Sequence, residues 1–351
     1  MTKAVSGRGQ ARLQPPRIHG ASAGSKLFPR DDTASLAANL DDTDRMLIQH
    51  LLQDGKMTNR VLANHLEISE SAVSIRLRRL ATGGAVIFTA LIDWEAAGFD
   101  WFVIVRIKTR ARSPREVAFE VSRLEQCEAA TVCLGTHDVL AYFLVQNRAE
   151  LRQLTNQDLP AISGISEMSI DVATDTSITA IGRRFFLAND VPAIRIPAPT
   201  IDLDELDIAI LQALVNDGRQ SSRNVARTLN VSEGTIRARQ SRMTEAGLFR
   251  VVAMVEPVAL GLAGVIAHVS LRTDRARLSA IQKQLNALDE SVLTAVCVGC
   301  SDLSIAVIAT DPQQLIELIS SHIQTIDGVL TADTLLMVDM VRFSPYMKRL
   351  R

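Results

Sequence analysis

The apolar positions of this chain follow two rhythms. Over 40–54, Leu47, Ile48, Leu51 and Leu52 recur at the spacing of one helix face, behind Asp41 as a cap and Asp44 in the first turn. Gly55 is expected to end that helix. A second short helix from Thr58 carries Leu62, Ala63 and Leu66, and a third after Ser69 carries Val73, Leu77 and Leu80 on one side. The short connection Glu67-Ile68-Ser69 between them predicts a helix-turn-helix. From Trp101 the pattern changes to strand-like runs at 102–108, 130–135, 139–145 and after Gly164, with amphipathic helices across 114–125 and 148–158. Strand, helix, two strands, helix, strand is the split βαβ, ferredoxin-like order, and its open sheet is expected to find a partner sheet.

All of this occurs twice. Residues 40–101 align without a gap on 203–264, with roughly 17 identities in about 62 positions, including "LDDTD" against "LDELD" and "LEISES" against "LNVSEG". After a one-residue slip "CLGTHD" at 133–138 faces "CVGCSD" at 297–302, and strands at 265–271, 293–299, 303–309 and after Gly328 flank helices near 275–287 and 312–325. The plan is therefore α+β and tandem: a tail over 1–39, a winged-type helix-turn-helix unit over 40–98, a ferredoxin-like βαββαβ unit over 99–188, a proline-bearing linker over 189–201, and the same two units over 202–261 and 262–351.

Composition narrows the functions. The chain has 351 residues, 47% of them hydrophobic and 22% charged, and no window reaches the ~18 apolar residues of a membrane span. The first forty residues scatter six basic side chains among Gly, Ser, Ala and Pro, which predicts a disordered basic tail rather than a secretory signal. Four cysteines without an export signal suggest reduced thiols and a cytoplasmic protein. With a net charge of −1, nucleic-acid binding would need its cations gathered on one element.

The third helix of each half gathers them. Its inward stripe leaves Ser71, Ser74, Ile75, Arg76, Arg78 and Arg79 on other faces, matched in the second half by Thr235, Arg237, Arg239 and Arg242. A short cationic helix fits the major groove, so these are the candidate DNA-binding residues, with Arg76, Arg79, Arg239 and Arg242 as expected anchors on phosphate or guanine.

"LDDTD", the "EIS" turn, "RLRRL" and a later Gly-x-x-Asp turn together resemble the Lrp/AsnC family of bacterial and archaeal transcription regulators, twice over from residue 40 onward. The resemblance implies DNA binding without catalysis or cofactor, pairing and homo-oligomer formation through the ferredoxin-like units, and an effector, often an amino acid, near the Gly-x-x-Asp turn. The matching positions are Gly135, Thr136, His137 and Asp138, with Gly299, Cys300, Ser301 and Asp302. Freed turn amides suit a carboxylate and an Asp suits an ammonium group, although a plain hairpin turn uses Gly and Asp equally well. Where the family commonly places an aromatic before the Asp, this chain has His137 and Ser301.

Cys297-x-x-Cys300, with Cys133 and His137 at matching places, admits a metal or redox centre, but buried strand cysteines are the expected reading. Siroheme decarboxylases resemble the same fold and form the enzymatic alternative. They would bring degraded recognition helices and basic residues on the inner strands, whereas here the third helices are cationic and the strands are expected to be mainly apolar. Finally, the groove-facing pairs Ser71/Gly234, Ala72/Thr235, Ser74/Arg237, Ile75/Ala238 and Arg78/Ser241 all differ, and Gln240 replaces the inward Leu77. Two unlike readers predict an asymmetric operator, the first helix being the better packed.

Overall fold

Each helix of the two trihelical units begins where a side chain can satisfy its first amides. In the computed structural model Asp41 caps α1 (Asp42–Gln53) and forms a reciprocal capping box with Asp44, and Asp204 and Asp207 do the same for α6 (Glu205–Asn216). Thr58 and Ser69 cap α2 (Asn59–Leu66) and α3 (Glu70–Thr82), and Ser221 and Ser232 cap α7 (Ser222–Leu229) and α8 (Glu233–Glu245). The tight turn between second and third helices passes through a left-handed residue in both halves, Glu67 at φ 53° and Asn230 at φ 55°. The structure describes residues 40–55, 57–83, 86–179, 182, 193–194, 196–255, 263–343 and 349–350; the expected tail over 1–39, much of the expected linker and the side chain of Leu52 lie outside these.

The remaining elements, in chain order, are β1 (Val86–Ile92), β2 (Trp101–Thr109), α4 (Pro114–Val121), β3 (Cys127–Leu134), β4 (Val139–Val145), α5 (Arg148–Gln153) and β5 (Ile165–Ile178), then the short β6 (Ala193–Ile194). After the second trihelical unit come β7 (Phe249–Val255), β8 (Val265–Thr273), α9 (Leu278–Asn286), β9 (Ser291–Gly299), β10 (Leu303–Ala309), α10 (Pro312–Glu317), β11 (Val329–Phe343) and β12 (Arg349–Leu350). Both α5 and α10 run on into a π-helical turn, at Leu154–Asp158 and Leu318–Ile323. The fold is a winged helix-turn-helix joined to an α+β ferredoxin-like unit, and the second half repeats the element order of the first.

The two halves interlock at two levels. Eight strands close into one barrel in the order β10-β8-β11-β3-β4-β2-β5-β9, so the last long strand of each half pairs with the second ferredoxin-like strand of the other. Closure removes the edges that an isolated four-stranded sheet would expose. Val103, Val105, Ile107 and Phe143 face outward under α4 and α5, whereas Phe102, Ile104, Leu140, Tyr142, Leu335 and Met337 fill the inside.

Above the barrel β1 and β7 form a two-stranded antiparallel sheet, with Thr89 opposite Val252. The wing strand of each half thereby completes the core of the other. Ala253 and Val255 pack among Leu47, Leu62, Val73 and Leu80 of the first unit, and Ala90 and Ala97 pack among Ile210, Leu211, Ile236 and Met243 of the second. This exchange corrects the expectation for Gly55. The α1 helix already ends at Gln53 with Asp54 as its C-cap, and Gly55 is required because a Cβ there would lie 2.3 Å from the Ala253 nitrogen. Gly218 meets the backbone of Thr89 in the same way, and its N–H donates to the Phe88 carbonyl at 2.8 Å. The described end of the expected linker is bonded rather than loose: the Thr200 N–H donates to the Ala96 carbonyl at 2.9 Å.

Candidate nucleic-acid interface and barrel turns

Helix α3 buries Val73, Leu77 and Leu80 and turns Ser71, Ile75, Arg78 and Arg79 outward, with Ser74 and Arg76 half-buried. The arginines do not share one role. Arg76 donates to Asp41 at 2.7 Å and to Asp44 at 2.8 Å, and Arg79 also donates to Asp44, whose carboxylate is wholly buried. In the second half Arg239 reaches Asp204 at 2.6 Å and Asp207 at 2.9 Å, and Arg242 reaches buried Asp207 at 2.5 Å. The backbone N–H of Asp44 and the Arg76 guanidinium hold the Asp41 carboxyl below the usual carboxylate range; Arg239 and the Asp207 N–H do the same to Asp204. Arg76 and Arg239 are correspondingly raised by those carboxylates.

The four arginines expected to anchor DNA are thus already engaged within the fold. Their charge is already matched by carboxylates, and they fasten the third helix to the start of the first. Both members of the clamp, Asp41 and Asp44 with Arg76 and Arg79, recur together at Asp204, Asp207, Arg239 and Arg242, which is the signal that distinguishes a clamp from a reading surface. On α3 this leaves Ile75, 65% exposed, and the exposed Arg78, which pairs with no carboxylate among the described residues. On α8 Arg237 pairs with Glu233 one turn back at 2.5 Å, Ser241 donates to Glu245 at 2.7 Å, and the Thr235 hydroxyl lies 2.8 Å from that of Ser232.

The second unit is less tightly filled, as the Gln240 position predicts. Gln240 accepts a bond from Ser222 at 3.2 Å and lines a hollow of about 230 Å³ with Leu214, Gly218, Gln220, Thr244 and Val251. The first unit has Met57, Leu77, Ala81 and Phe88 at the places of Gln220, Gln240, Thr244 and Val251. Gln240→Leu should therefore stabilise the chain by about 0.5–1 kcal/mol, seen as a higher thermal midpoint, since it buries apolar surface and gives up one half-exposed hydrogen bond.

The two Gly-x-x-Asp turns sit on the seams of the barrel. Gly135 (φ 147°) and Gly299 (φ 153°) take backbone conformations that suit glycine, and a Cβ would lie 2.6 Å from the Thr334 carbonyl oxygen and 2.3 Å from that of Ile170. The carboxylates expected to be free for an ammonium group are engaged. Asp138 accepts from the Thr109 N–H at 2.7 Å and its hydroxyl at 3.0 Å, and Asp302 accepts from the Thr273 N–H at 3.0 Å and from Arg275 at 2.8 Å. His137 and Ser301 face inward: His137 lies 3.1 Å from the Ser169 hydroxyl, and Ser301 donates to Asp171 through its N–H at 2.8 Å and its hydroxyl at 2.5 Å. Thr136 and Cys300 are exposed together with the two turn glycines, next to the exposed apolar pair Leu134 and Val298.

The barrel interior is lined mainly by apolar side chains, as expected, but also holds two basic ones. Arg106 is buried, donates to buried Asp171 at 2.7 Å and lies 3.9 Å from Asp333 of the other half, which in turn accepts from Thr136 at 2.7 Å. One arginine thus links both turns through Asp333 on one side and Asp171 and Ser301 on the other. Fully buried His268 pairs with the Tyr142 hydroxyl at 3.0 Å and the Ser270 hydroxyl at 3.1 Å, and burial, aided by Arg106, pushes it down to about 3. Neither residue could be placed inside from its own segment, because alternation allows either face until the barrel partner is known. Cys133 and Cys297 are buried in the same interior and their thiols are pushed up to about 12, whereas Cys300 is exposed, so Cys297 and Cys300 do not converge on one centre.

Comparison with known proteins agrees with the helical half of this picture. Residues 203–244 match the AsnC-type helix-turn-helix domain, and residues 40–86 match a winged helix-turn-helix DNA-binding domain. An uncharacterized HTH-type transcriptional regulator of Pyrococcus horikoshii is 28% identical over 144 residues, which are 41% of this chain and 90% of that protein. The HTH-type transcriptional regulator FL11 of Pyrococcus abyssi is 26% identical, over 38% of this chain and 91% of its own length. The chain is thus about twice as long as these relatives. A siroheme decarboxylase, solved with an iron-uroporphyrin III analogue, superimposes with a TM-score of 0.59 over 87% of this chain and 94% of its own, at 13% identity, a likeness of fold alone. No helix among the described residues is long and apolar enough to cross a membrane.

Proposed function

We propose that the chain is a sequence-specific DNA-binding transcription regulator, a fused pseudo-dimer that arose by tandem duplication and reads an asymmetric operator. The observation that carries this is the exchange of wing strands between two capped helix-turn-helix units, which holds two unlike third helices at a fixed separation in one chain. Two-fold related readers must meet a symmetric site, and unlike readers are released from that constraint. An effector of amino-acid type at the barrel turns would meet Thr136, Cys300 and turn amides rather than the Asp138 and Asp302 carboxylates, which hold the strand ends. Because Arg106 joins both turns, a ligand at one would be felt at the other. The exposed Leu134 and Val298 beside the turns support further assembly through the barrel, and a cytoplasmic location follows from the same role.

The enzymatic alternative has one observation in its favour, the buried Arg106 and His268 in the barrel of a decarboxylase-like fold. Against it, Ile104, Leu140, Tyr142, Cys297 and Leu335 fill the interior at 0–6% exposure, so a tetrapyrrole could enter only by unpacking the core that joins the halves. Titrating the full chain with siroheme separates the two readings. An unchanged absorbance spectrum together with retention of duplex DNA supports the regulator, and a shifted Soret band followed by loss of carboxyl groups refutes it.

A further inference from the structure

The clamp divides the cations of the two third helices into those that hold the fold and those free to meet a ligand, and the division is unequal. On α3, Ile75 and Arg78 stand one turn apart on the outer face, the first exposed and apolar, the second exposed and paired with no carboxylate among the described residues. Their places on α8 are taken by Ala238 and Ser241. Neither can span to a base edge as an arginine does, and Ser241 is already bonded to Glu245. The remaining long cation on α8, Arg237, is drawn back along its own helix by Glu233, an exposed pairing that contact with a base would have to give up. Glu245 replaces Thr82 and adds a carboxylate that phosphate would repel.

We infer that base readout is concentrated in the half-site beneath α3, where Ile75 seats on a thymine methyl and Arg78 bonds a guanine. The half-site beneath α8 is then held through the backbone with little demand on sequence. This rests on the DNA-binding reading above. The chemistry follows from what the major groove displays: the thymine methyl is its apolar group, and the O6 and N7 of guanine match a guanidinium fork. Three residues of helix advance about 4.5 Å and successive base pairs about 3.4 Å, so the thymine and the guanine lie on neighbouring base pairs. Seven exposed large apolar side chains besides Ile75 are described, and none of them lies on a third helix, so Ile75 offers the broadest methyl contact, against the single methyl of exposed Ala238 at its place on α8.

The test is selection of a random duplex library by the full chain, repeated with Ile75→Ala and Arg78→Ala. Both side chains are exposed, so an unchanged thermal midpoint certifies the fold. The wild type should enrich one well-defined half-site containing adjacent T and G beside a weakly defined one. Replacing that thymine by deoxyuridine should weaken the wild type about fourfold and leave Ile75→Ala unchanged, since one methyl group is removed. Arg78→Ala should lose about 10-fold or more on the selected duplex and accept other bases at the guanine. If the wild type enriches a sequence and both variants enrich the same one, the inference falls while the regulator reading stands. If the wild type enriches no sequence, the regulator reading itself fails. Two equally defined half-sites would also overturn the inference.

Discussion

Acidification from about pH 6.5 to about pH 5 will cost the folded chain roughly 2 kcal/mol, before its carboxylates begin to titrate. The cause is His268. Burial, aided by Arg106, pushes its pKa down to about 3, whereas in the unfolded chain it takes a proton near its ordinary 6.5. Between those values the unfolded state binds a proton that the folded state refuses. The stabilisation is therefore fully present above the unfolded value and is lost as pH falls, at about 1.4 kcal/mol per pH unit. His137 is lowered mainly by its own partial burial and acts in the same direction. Asp41, Asp204 and Glu120 are lowered carboxylates, and their contributions are lost only further down, below about pH 4.5. Urea unfolding at several pH values between 4.5 and 7.5 measures the slope. His268→Gln keeps a partner for Tyr142 and should flatten the slope by close to one proton. An equal slope in both proteins would place the acid sensitivity elsewhere.

The second large effect lies in the clamp. Asp44→Asn keeps a side-chain oxygen for the reciprocal cap but withdraws the charge shared by Arg76 and Arg79. The loss should be about 2–4 kcal/mol, less than for a wholly buried pair because the Arg79 side chain is 49% exposed. Asp207→Asn should act likewise on α8, and because the wing strands are exchanged between the units, each change should loosen both. In a double-mutant cycle, Asp44→Asn with Arg79→Met should cost less than the sum of the single changes. Strict additivity would mean that the carboxylate acts on the cap alone.

The clamp also shows how far the sequence was legible. Hydrophobic period, caps and the repeat place the helices of both units and the succession of strands along the chain, because those signals are local. The repeat also displayed Asp41, Asp44, Arg76 and Arg79 as retained pairs. Assigning such arginines to DNA or to a carboxylate depends on the angle between α1 and α3, which no local pattern encodes. Gly55 is a related case: it looks like a helix stop, yet its cause is the Ala253 backbone, roughly two hundred residues later. The interior ion pair of Arg106 and Asp171 was hidden in the same way, since each residue lies in an ordinary alternating strand.

The central claim is that one chain presents two unlike readers to DNA. It is tested most directly by footprinting the full chain on its selected duplex and then on two rearranged duplexes, each a palindrome of one of the two half-sites. The account predicts that the duplicate of the α8 half-site binds less tightly than the native arrangement, because α3 loses its bases, whereas the duplicate of the α3 half-site binds about as well, because α8 makes little demand on sequence. Binding of the α8 duplicate as tightly as the native arrangement would contradict it.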